Sequence, residues 1–341
     1  MARIASLGQI DGIDVLEARL DADGIRIAVL SWGARLAELW VPDASGTQAD
    51  IVLGHDSLQD WQAHGKYLGA TCGRYANRIA GGRFTLDGRQ VELDRNEGPN
   101  TLHGGSRGFD LTHWQIAEHS DRHVTFTATS PDGDMGYPGR LTATTTYRID
   151  GNALAIEMTA TTDAPTIVNL VNHAYFNLAG QGAGDVMAQH LQIEAGHYTP
   201  VDDQLIPTGE VLSVAGTALD FRQPRAIGAT LPGPKGFDHN FCLSAPLAAN
   251  GLRNCLTATD PTSGRRLRLF TSEPGLQLYT GVHFAGGPGK GAARYPRFAG
   301  FAAETQRFPN TPNTPHFPPA RLDPGGLYRH RMLLDLTPLP G

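Results

Sequence analysis

Polar and apolar residues alternate with a period of two along much of this chain. The alternation is clearest in residues 25–29, 124–128, 154–158, 266–269 and 332–336. Successive side chains of a β-strand point to opposite faces of a sheet, so this period predicts strands with one buried face. Turn-forming clusters such as Pro131-Asp132-Gly133-Asp134 separate the runs. The 41 glycines and 23 prolines leave little room for long helices. We therefore predict an all-β fold.

One short helix is predicted near Ser57, because Ser57 and Asp60 resemble a capping box ahead of Trp61. Residues 308–319 contain five prolines, and since proline donates no hydrogen bond to a sheet, we predict an extended, irregular loop there. No fixed-period repeat or flexible linker divides the chain. We expect a single domain over residues 1–341, a large antiparallel β-sandwich with few short helices.

The charge distribution bears on the kind of partner. The net charge is −6, only 18% of residues are charged, and no long run of one sign occurs. Nucleic acids and anionic membranes require clustered Lys and Arg, so we expect neither as a partner and predict a small, roughly neutral ligand. No glycine-rich phosphate loop follows a strand, which argues against a nucleotide cofactor. No stretch approaches the ~20 apolar residues of a membrane span.

The cysteines and the first residues bear on the compartment. Cys72, Cys242 and Cys255 are widely spaced and form no CxxC pair. This spacing offers no zinc or redox motif and is typical of a reducing compartment. Asp11 and Asp14 interrupt the apolar core that a signal peptide would need. We therefore expect a cytoplasmic protein.

Four segments carry polar residues that strand patterning does not require. They are residues 73–84, 96–105, 168–177 and 299–306. His173 is the most informative residue, because on a strand it would share one face with Val171 and Tyr175 in largely apolar surroundings. A buried histidine either finds hydrogen-bond partners in the core or lines a cavity.

Glu304 follows the apolar run Phe301-Ala302-Ala303, where an unpaired carboxylate is costly. Two interpretations are open. Glu304 forms an ion pair with Arg307, or it is a base whose pKa is raised towards neutrality by partial desolvation.

Three further polar residues have equally open interpretations. Asp238 lies after a turn-rich stretch, where an Asp often satisfies its own backbone. Gln277 shares a strand face with Tyr279, as on any solvated sheet. His103 precedes Gly104-Gly105, where the chain can approach a ligand closely.

Taken together, these segments resemble the aldose 1-epimerase family, also called the galactose mutarotases. The most specific pieces are Asn100-Thr101-Leu102-His103-Gly104-Gly105 and Glu304-Thr305-Gln306, and the segments follow the family's order. The match begins near Trp32 and covers nearly the whole chain. The resemblance implies a β-sandwich whose concave face holds a free aldose sugar. It implies no cofactor: no metal, no nucleotide and no covalent intermediate.

The resemblance also implies roles for individual residues. His173 would be the general acid and Glu304 the general base as the sugar ring opens and closes. His103 would contact the ring near the reacting centre and share in proton handling. The other sugar contacts would come from Asn77, Arg78, Tyr175, Asp238 and Gln277. We expect a monomer or a weak homodimer.

An acid–base pair of this kind works only if each member has the right protonation state. His173 must carry a proton near neutral pH, and we expect neighbouring carboxylates to favour the protonated form. A bell-shaped dependence of the rate on pH is then expected.

Four alternatives remain open from the sequence. A glycoside hydrolase would use Asp238 and Glu304 as paired carboxylates. A non-catalytic sugar-binding protein would keep only the fold and the pocket. A metal-dependent isomerase would bind its ion through His103, His173 and Asp238. An epimerase of a phosphorylated hexose would need basic residues at the far end of the sugar, for which Arg74 and Arg294 are candidates.

Overall fold

Antiparallel strands dominate the structure, a computed structural model that describes residues 3–340. The largest sheet has nine strands, in the spatial order Gln115–His119, His123–Ser130, Leu141–Asp150, Ala153–Thr162, Tyr328–Asp335, Arg266–Thr271, Arg253–Thr259, His190–Ile193 and Arg225–Ala226. A six-stranded sheet has the order Tyr175–Phe176, Phe301–Gln306, Gly275–Tyr279, Asp238–Leu243, Ala195–Thr199 and Leu212–Ser213. A five-stranded sheet follows chain order through Arg3–Ile10, Ile13–Ala22, Ile25–Leu30, Arg35–Pro42 and Gln48–Asp50.

Short strand pairs join the large sheets. They are Arg78–Ile79 with Thr101–Leu102, Arg83–Leu86 with Arg89–Glu92, Thr71–Cys72 with Val171–Asn172, Thr166–Ile167 with Arg321–Leu322, and Gly287–Pro288 with Arg294–Tyr295. All five pairs are antiparallel. The predicted all-β, antiparallel fold class is thus confirmed.

The period-two runs of the sequence lie in strands. Residues 124–128 and 154–158 fall inside His123–Ser130 and Ala153–Thr162, and only Leu336 of the five runs lies just beyond its strand, Tyr328–Asp335. Buried and more exposed positions alternate along these strands, as along Leu141–Asp150. The alternation arises because one face packs on the core while the other meets solvent.

Helical structure is sparse. The helix Leu58–His64 begins where the sequence predicted, with the Ser57 Oγ accepting a hydrogen bond of 3.1 Å from the amide of Asp60. Five single turns of 3₁₀ helix cover Ala80–Gly82, Phe109–Leu111, Asp134–Gly136, Ile227–Ala229 and Thr311–Asn313. Within residues 3–340, no helix is long and apolar enough to cross a membrane.

The main apolar core lies between the three large sheets. It takes Leu20 and Val29 from the five-stranded sheet, Phe126 from the nine-stranded sheet, and Phe241 and Phe301 from the six-stranded sheet. Its members range from Ala18 to Leu336 along the chain.

Two local predictions need correction. His173 does not lie within a strand, because the backbone pairs only at Val171–Asn172 and Tyr175–Phe176 and leaves the histidine in the break between them. The proline-rich loop is irregular but includes the 3₁₀ turn Thr311–Asn313, which Pro312 can enter because its fixed φ suits the first turn of a helix.

Candidate active site

A cavity of about 690 Å³ lies beside the six-stranded sheet. Four adjacent strands of that sheet contribute lining residues, namely Tyr175, Glu304, Tyr279, and the pair Asp238 and His239. Loops and the short strand Arg78–Ile79 from the first half of the chain supply Asn77, Arg78, His103 and other residues. Seven of the eight site residues predicted from the sequence therefore line one cavity; the eighth, Gln277, does not.

Glu304 reaches the cavity from the most deeply buried strand of the site. Phe301–Gln306 is buried at all six positions, and its residues alternate between two faces. Phe301 and Ala303 join the main core, whereas Glu304, pointing the other way, lines the cavity. The interpretation of Glu304 as the ion-pair partner of Arg307 is wrong, since the Nε of Arg307 lies 3.0 Å from the Oε2 of Glu273 instead.

His173 is fixed through its backbone. Its amide donates to the carbonyl of Ala70 and its carbonyl accepts from the amide of Gly69, both at 2.9 Å. The imidazole lies nearly parallel to the ring of Tyr175, with centroids 5.0 Å apart and planes inclined by 27°. It is thereby held in one orientation although no strand runs through it.

The two side chains meet inside the cavity. The Nε2 of His173 lies 3.5 Å from the Oε1 of Glu304, and the two side chains are only 4% and 2% exposed. The other oxygen of Glu304, Oε2, has no hydrogen-bond partner among the described residues. A buried acceptor without a partner is costly and is characteristic of a functional site.

Burial acts on both members of the pair. It lowers the pKa of His173 to about 3. It raises the pKa of Glu304 well above the ordinary 4.5, and the negative charge of Asp238 adds to this effect while Arg78 opposes it. The pKa of His173 is thus shifted opposite to the expectation that carboxylates favour its protonated form, because desolvation by burial is the largest effect and the charges of His283 and Arg35 add to it.

The hydrogen bonds of His103 determine its tautomer. The amide of Asn77 donates to the Nδ1 of His103 over 3.2 Å. Burial, followed by the charges of His173 and Arg78, lowers the pKa of His103 well below 6.5. The neutral ring must therefore carry its hydrogen on Nε2. His103 is a hydrogen-bond donor to whatever occupies the cavity.

A polar cluster forms another part of the wall. Arg78 donates to both carboxylate oxygens of Glu97, at 2.7 and 2.9 Å, and its Nη1 lies 3.7 Å from the Oδ2 of Asp238. Gln277, behind this wall, donates from Nε2 to the Oδ1 of Asp238 at 2.6 Å. Gln277 thus orients Asp238 from outside the cavity, and Asn77 fixes the adjacent backbone by accepting from the amide of Arg78 at 2.8 Å.

Some lining residues were not predicted from the sequence. Tyr67, Glu97, Tyr279 and His283 all contact the cavity. Glu97 lies inside the polar segment 96–105, so its pairing with Arg78 could have been anticipated from their opposite charges. No pattern singled out Tyr67, which lies in an irregular loop with φ of 61°.

The geometry also bears on the alternatives. Donor atoms of His103, His173 and Glu304 lie within 4.8 Å of one another, a spacing that a metal ion could bridge. Binding through the Nε2 of His103 would move its hydrogen onto Nδ1, against the amide of Asn77. Arg74 and Arg294 do not line the cavity: they donate to the carbonyls of Pro138 and Gly286.

Comparison with known proteins gives a consistent result. The family model for aldose 1-epimerase matches residues 17–335. A galactose mutarotase from Bos taurus is 45% identical over 315 residues, covering 92% of this chain and 91% of the relative. An aldose 1-epimerase from Escherichia coli is 40% identical over 302 residues, covering 86% of both chains.

Solved structures agree with the sequence comparisons. An aldose epimerase homologue from C. elegans superimposes with a TM-score of 0.88 at 31% identity, over 95% of this chain and 99% of the other. A galactose 1-epimerase from Lactobacillus acidophilus superimposes with a TM-score of 0.86 at 28% identity, over 99% of both chains.

Proposed function

The chain belongs to the aldose 1-epimerase family, and from that premise we propose that it interconverts the α and β anomers of a free aldose by proton exchange with His173 and Glu304. The contact between these two residues carries the proposal. Their side chains come from positions far apart in the chain, face one cavity and approach to 3.5 Å. A protein that only bound sugar would not need a matched acid and base in contact.

The reaction requires two proton transfers. When the sugar ring opens, the C1 hydroxyl loses a proton and the ring oxygen gains one. Glu304 takes the first proton, and His173 donates the second. Ring closure on the other face of the C1 carbonyl reverses both transfers, which returns the pair to its starting state. Each well-placed group typically contributes about 10²–10⁴-fold to the rate.

Sugar binding prepares the pair for this exchange. Burial favours a neutral imidazole and a protonated carboxyl group. A sugar hydroxyl that donates to Glu304 stabilises the carboxylate, because hydrogen bonds to a charged acceptor are the stronger ones. The single proton then moves to His173, where it faces the ring oxygen.

The remaining residues hold the sugar. Arg78 and Asp238 bind hydroxyl groups away from C1, Asn77 and Tyr175 complete the contact surface, and Gln277 acts through Asp238. We expect His103 to donate from Nε2 to an oxygen near the reacting centre and to share in proton handling. C1 must stay loosely held, since the aldehyde rotates about the C1–C2 bond before the ring closes again.

The setting in the cell is part of the proposal. We infer a cytoplasmic protein that acts as a monomer or weak homodimer on a free sugar, without a nucleic-acid or membrane partner. The absence of disulfides among Cys72, Cys242 and Cys255 supports a reducing compartment.

Polarimetry on freshly dissolved single anomers tests the proposal. We expect His173→Asn and Glu304→Gln each to lower kcat by about 10²–10⁴-fold. His119→Asn and Glu118→Gln are matched controls, because both residues are exposed on the strand Gln115–His119. Wild-type rates in both cavity variants would contradict the assigned roles.

A glycoside hydrolase is the second candidate. The observation that favours it is that Asp238 and Glu304 line the same cavity, as two catalytic carboxylates would. Release of free sugar from an aryl glycoside by the wild-type protein, lost in Asp238→Asn, would support hydrolysis. We expect no release.

A further inference from the structure

The loop of residues 65–70, which follows the helix Leu58–His64, packs against both histidines of the site. The ring centroid of Tyr67 lies 4.5 Å from that of His103 and 6.0 Å from that of His173. The planes of Tyr67 and His173 are inclined by only 18°. Together with Tyr175, Tyr67 places a second nearly parallel ring against the imidazole of His173.

A fully buried arginine holds this loop in place. Arg35 is 0% exposed and donates to the carbonyls of Gly65 and Leu68, each at 2.6 Å. Its guanidinium also lies 4.7 and 5.0 Å from the ring centroids of Trp32 and Trp61. The planar guanidinium thus ties two points of one short loop to the protein interior.

The same loop is bonded directly to the backbone of His173. Gly69 donates to the carbonyl of His173, and His173 donates to the carbonyl of Ala70. The positions of Tyr67 and His173 are therefore coupled, so a displaced loop moves both rings.

The protonated form of His173 needs stabilisation. Burial opposes it, and the groups near the imidazole differ in their effect: Glu304 attracts a positive charge, whereas His283 and Arg35 oppose it. His103 lies edge-on to the imidazole, and the Nζ of Lys66 lies over the ring of Tyr67, 5.0 Å from its centroid. The face of a tyrosine ring carries negative charge density and attracts a cation within about 6 Å. The rings of Tyr67 and Tyr175 supply such faces.

We propose that Tyr67 is a positioning residue of this active site, whose ring stabilises protonated His173 in the sugar complex, and that Arg35 holds the loop that presents it. The proposal rests on the proposed role of His173 as acid. It gives a function to a residue that lines the cavity but offers the sugar no charged group.

The dependence of kcat on pH tests this role. In the sugar complex, loss of the proton from His173 sets the alkaline limb, and protonation of Glu304 sets the acid limb. Tyr67→Leu removes the ring face, so the alkaline limb should move to lower pH by roughly one unit, with kcat at neutral pH about tenfold lower. KM should change less than about twofold, and the acid limb should stay in place.

Two further variants separate electrostatics from structure. Tyr67→Phe retains the ring face and should restore the alkaline limb to its wild-type position. Arg35→Lys keeps the positive charge but lacks the Nη2 that donates to the carbonyl of Asp110 while Nη1 donates to the carbonyls of Gly65 and Leu68. It should therefore hold the loop less firmly and shift the limb in the same direction as Tyr67→Leu. The double variant should shift it no further, because both changes act through one loop.

The outcomes distinguish the two proposals. If kcat falls in Tyr67→Leu while the alkaline limb stays fixed, or if Tyr67→Phe behaves like Tyr67→Leu, the inference about Tyr67 is wrong. If His173→Asn retains full activity, the proposed function itself fails, whatever Tyr67→Leu does.

Discussion

Two side chains with opposite tendencies define the site at the scale of single residues. Burial lowers the pKa of His173 and raises that of Glu304. In both cases burial disfavours the charged form of the side chain. A pair with its pKa values displaced in this way titrates as a unit holding one proton over a wide range of pH. The arrangement suits proton exchange, but it lowers the stability of the folded protein.

The loss of folding stability caused by burying Glu304 should appear in alkaline solution. Its folded-state pKa lies above the ordinary 4.5, so the folded state binds more protons than the unfolded chain above pH 4.5, and stability falls as pH rises through that window. Glu304→Gln removes this loss. We expect its free energy of unfolding at pH 8 to exceed the wild-type value by about 1–2 kcal/mol in urea titrations.

His173 should show the opposite dependence. Its folded-state pKa of about 3 lies below the ordinary 6.5, so the wild-type protein loses stability as pH falls from 6.5. His173→Asn should therefore gain stability relative to wild type at pH 4 but not at pH 8, whereas Glu304→Gln gains at pH 8 but not at pH 4. Equal gains at both values would contradict the pKa directions.

At the scale of secondary-structure elements, the sequence predicts strands better than it predicts the breaks between them. Alternation reveals strands such as Leu141–Asp150 because one face is buried and the other solvated. His173 lies in a segment that is buried on both sides, where polar and apolar residues do not alternate. Its position depends on hydrogen bonds to Gly69 and Ala70, about a hundred residues earlier in the chain. Such contacts leave no trace in local sequence.

For the candidate site, the sequence predicts most of the lining residues but not their individual contacts. The resemblance to a family supplied seven residues that line the cavity. It could not show that Gln277 contacts Asp238 from outside the cavity. The sequence pattern of a strand is the same whether its polar side chains line a cavity or contact a neighbouring side chain. Arg307 is close to Glu304 in sequence, which made it a reasonable candidate for an ion pair. In the folded protein Arg307 pairs with Glu273 instead.

The proline-rich loop offers a prediction at the level of one element. The hydroxyl of Tyr75 donates to the carbonyl of Phe308 at 2.8 Å and accepts from the amide of Thr311 at 3.2 Å, all three residues being buried. Tyr75→Phe leaves the amide of Thr311 without a partner, whereas the carbonyl of Phe308 keeps the bond that it accepts from the hydroxyl of Thr311 at 2.8 Å. We expect the free energy of unfolding to fall by about 1–3 kcal/mol, measured in urea.

Tyr137→Phe is the matched control for that experiment. The ring of Tyr137 is also fully buried, but its hydroxyl has no hydrogen-bond partner among the described residues. Removing the hydroxyl should leave stability unchanged or raise it. A loss in Tyr137→Phe as large as that in Tyr75→Phe would show that the hydrogen bonds of Tyr75 are not the cause.

At the scale of the whole molecule, buried ion pairs connect distant parts of the chain. The ammonium of Lys290 donates to the carboxylate of Asp50 and, at 2.6 Å, to the carbonyl of Ala37. Asp50 also accepts from the amides of Leu39 and Val52. These bonds attach the segment after the strand Gly287–Pro288 to the five-stranded sheet.

Breaking this attachment should be costly. Lys290→Met leaves the Asp50 carboxylate buried without its cation, so we expect the free energy of unfolding to fall by about 3–5 kcal/mol. Asp50→Asn in the same protein removes the stranded charge and should recover part of the loss. A double variant no more stable than Lys290→Met would contradict the ion pair as the source of the effect.

The strand Phe301–Gln306 is buried on both faces. Backbone amides in different parts of the site should therefore differ in their protection from hydrogen exchange. The amide hydrogens of this strand should exchange with deuterated solvent only when the entire protein unfolds, whereas those of Gly233 and Lys235, which line the cavity at half-buried and exposed positions, should exchange through local opening. We therefore expect the carboxylate of Glu304 to keep its position while the backbone at another part of the cavity wall opens locally.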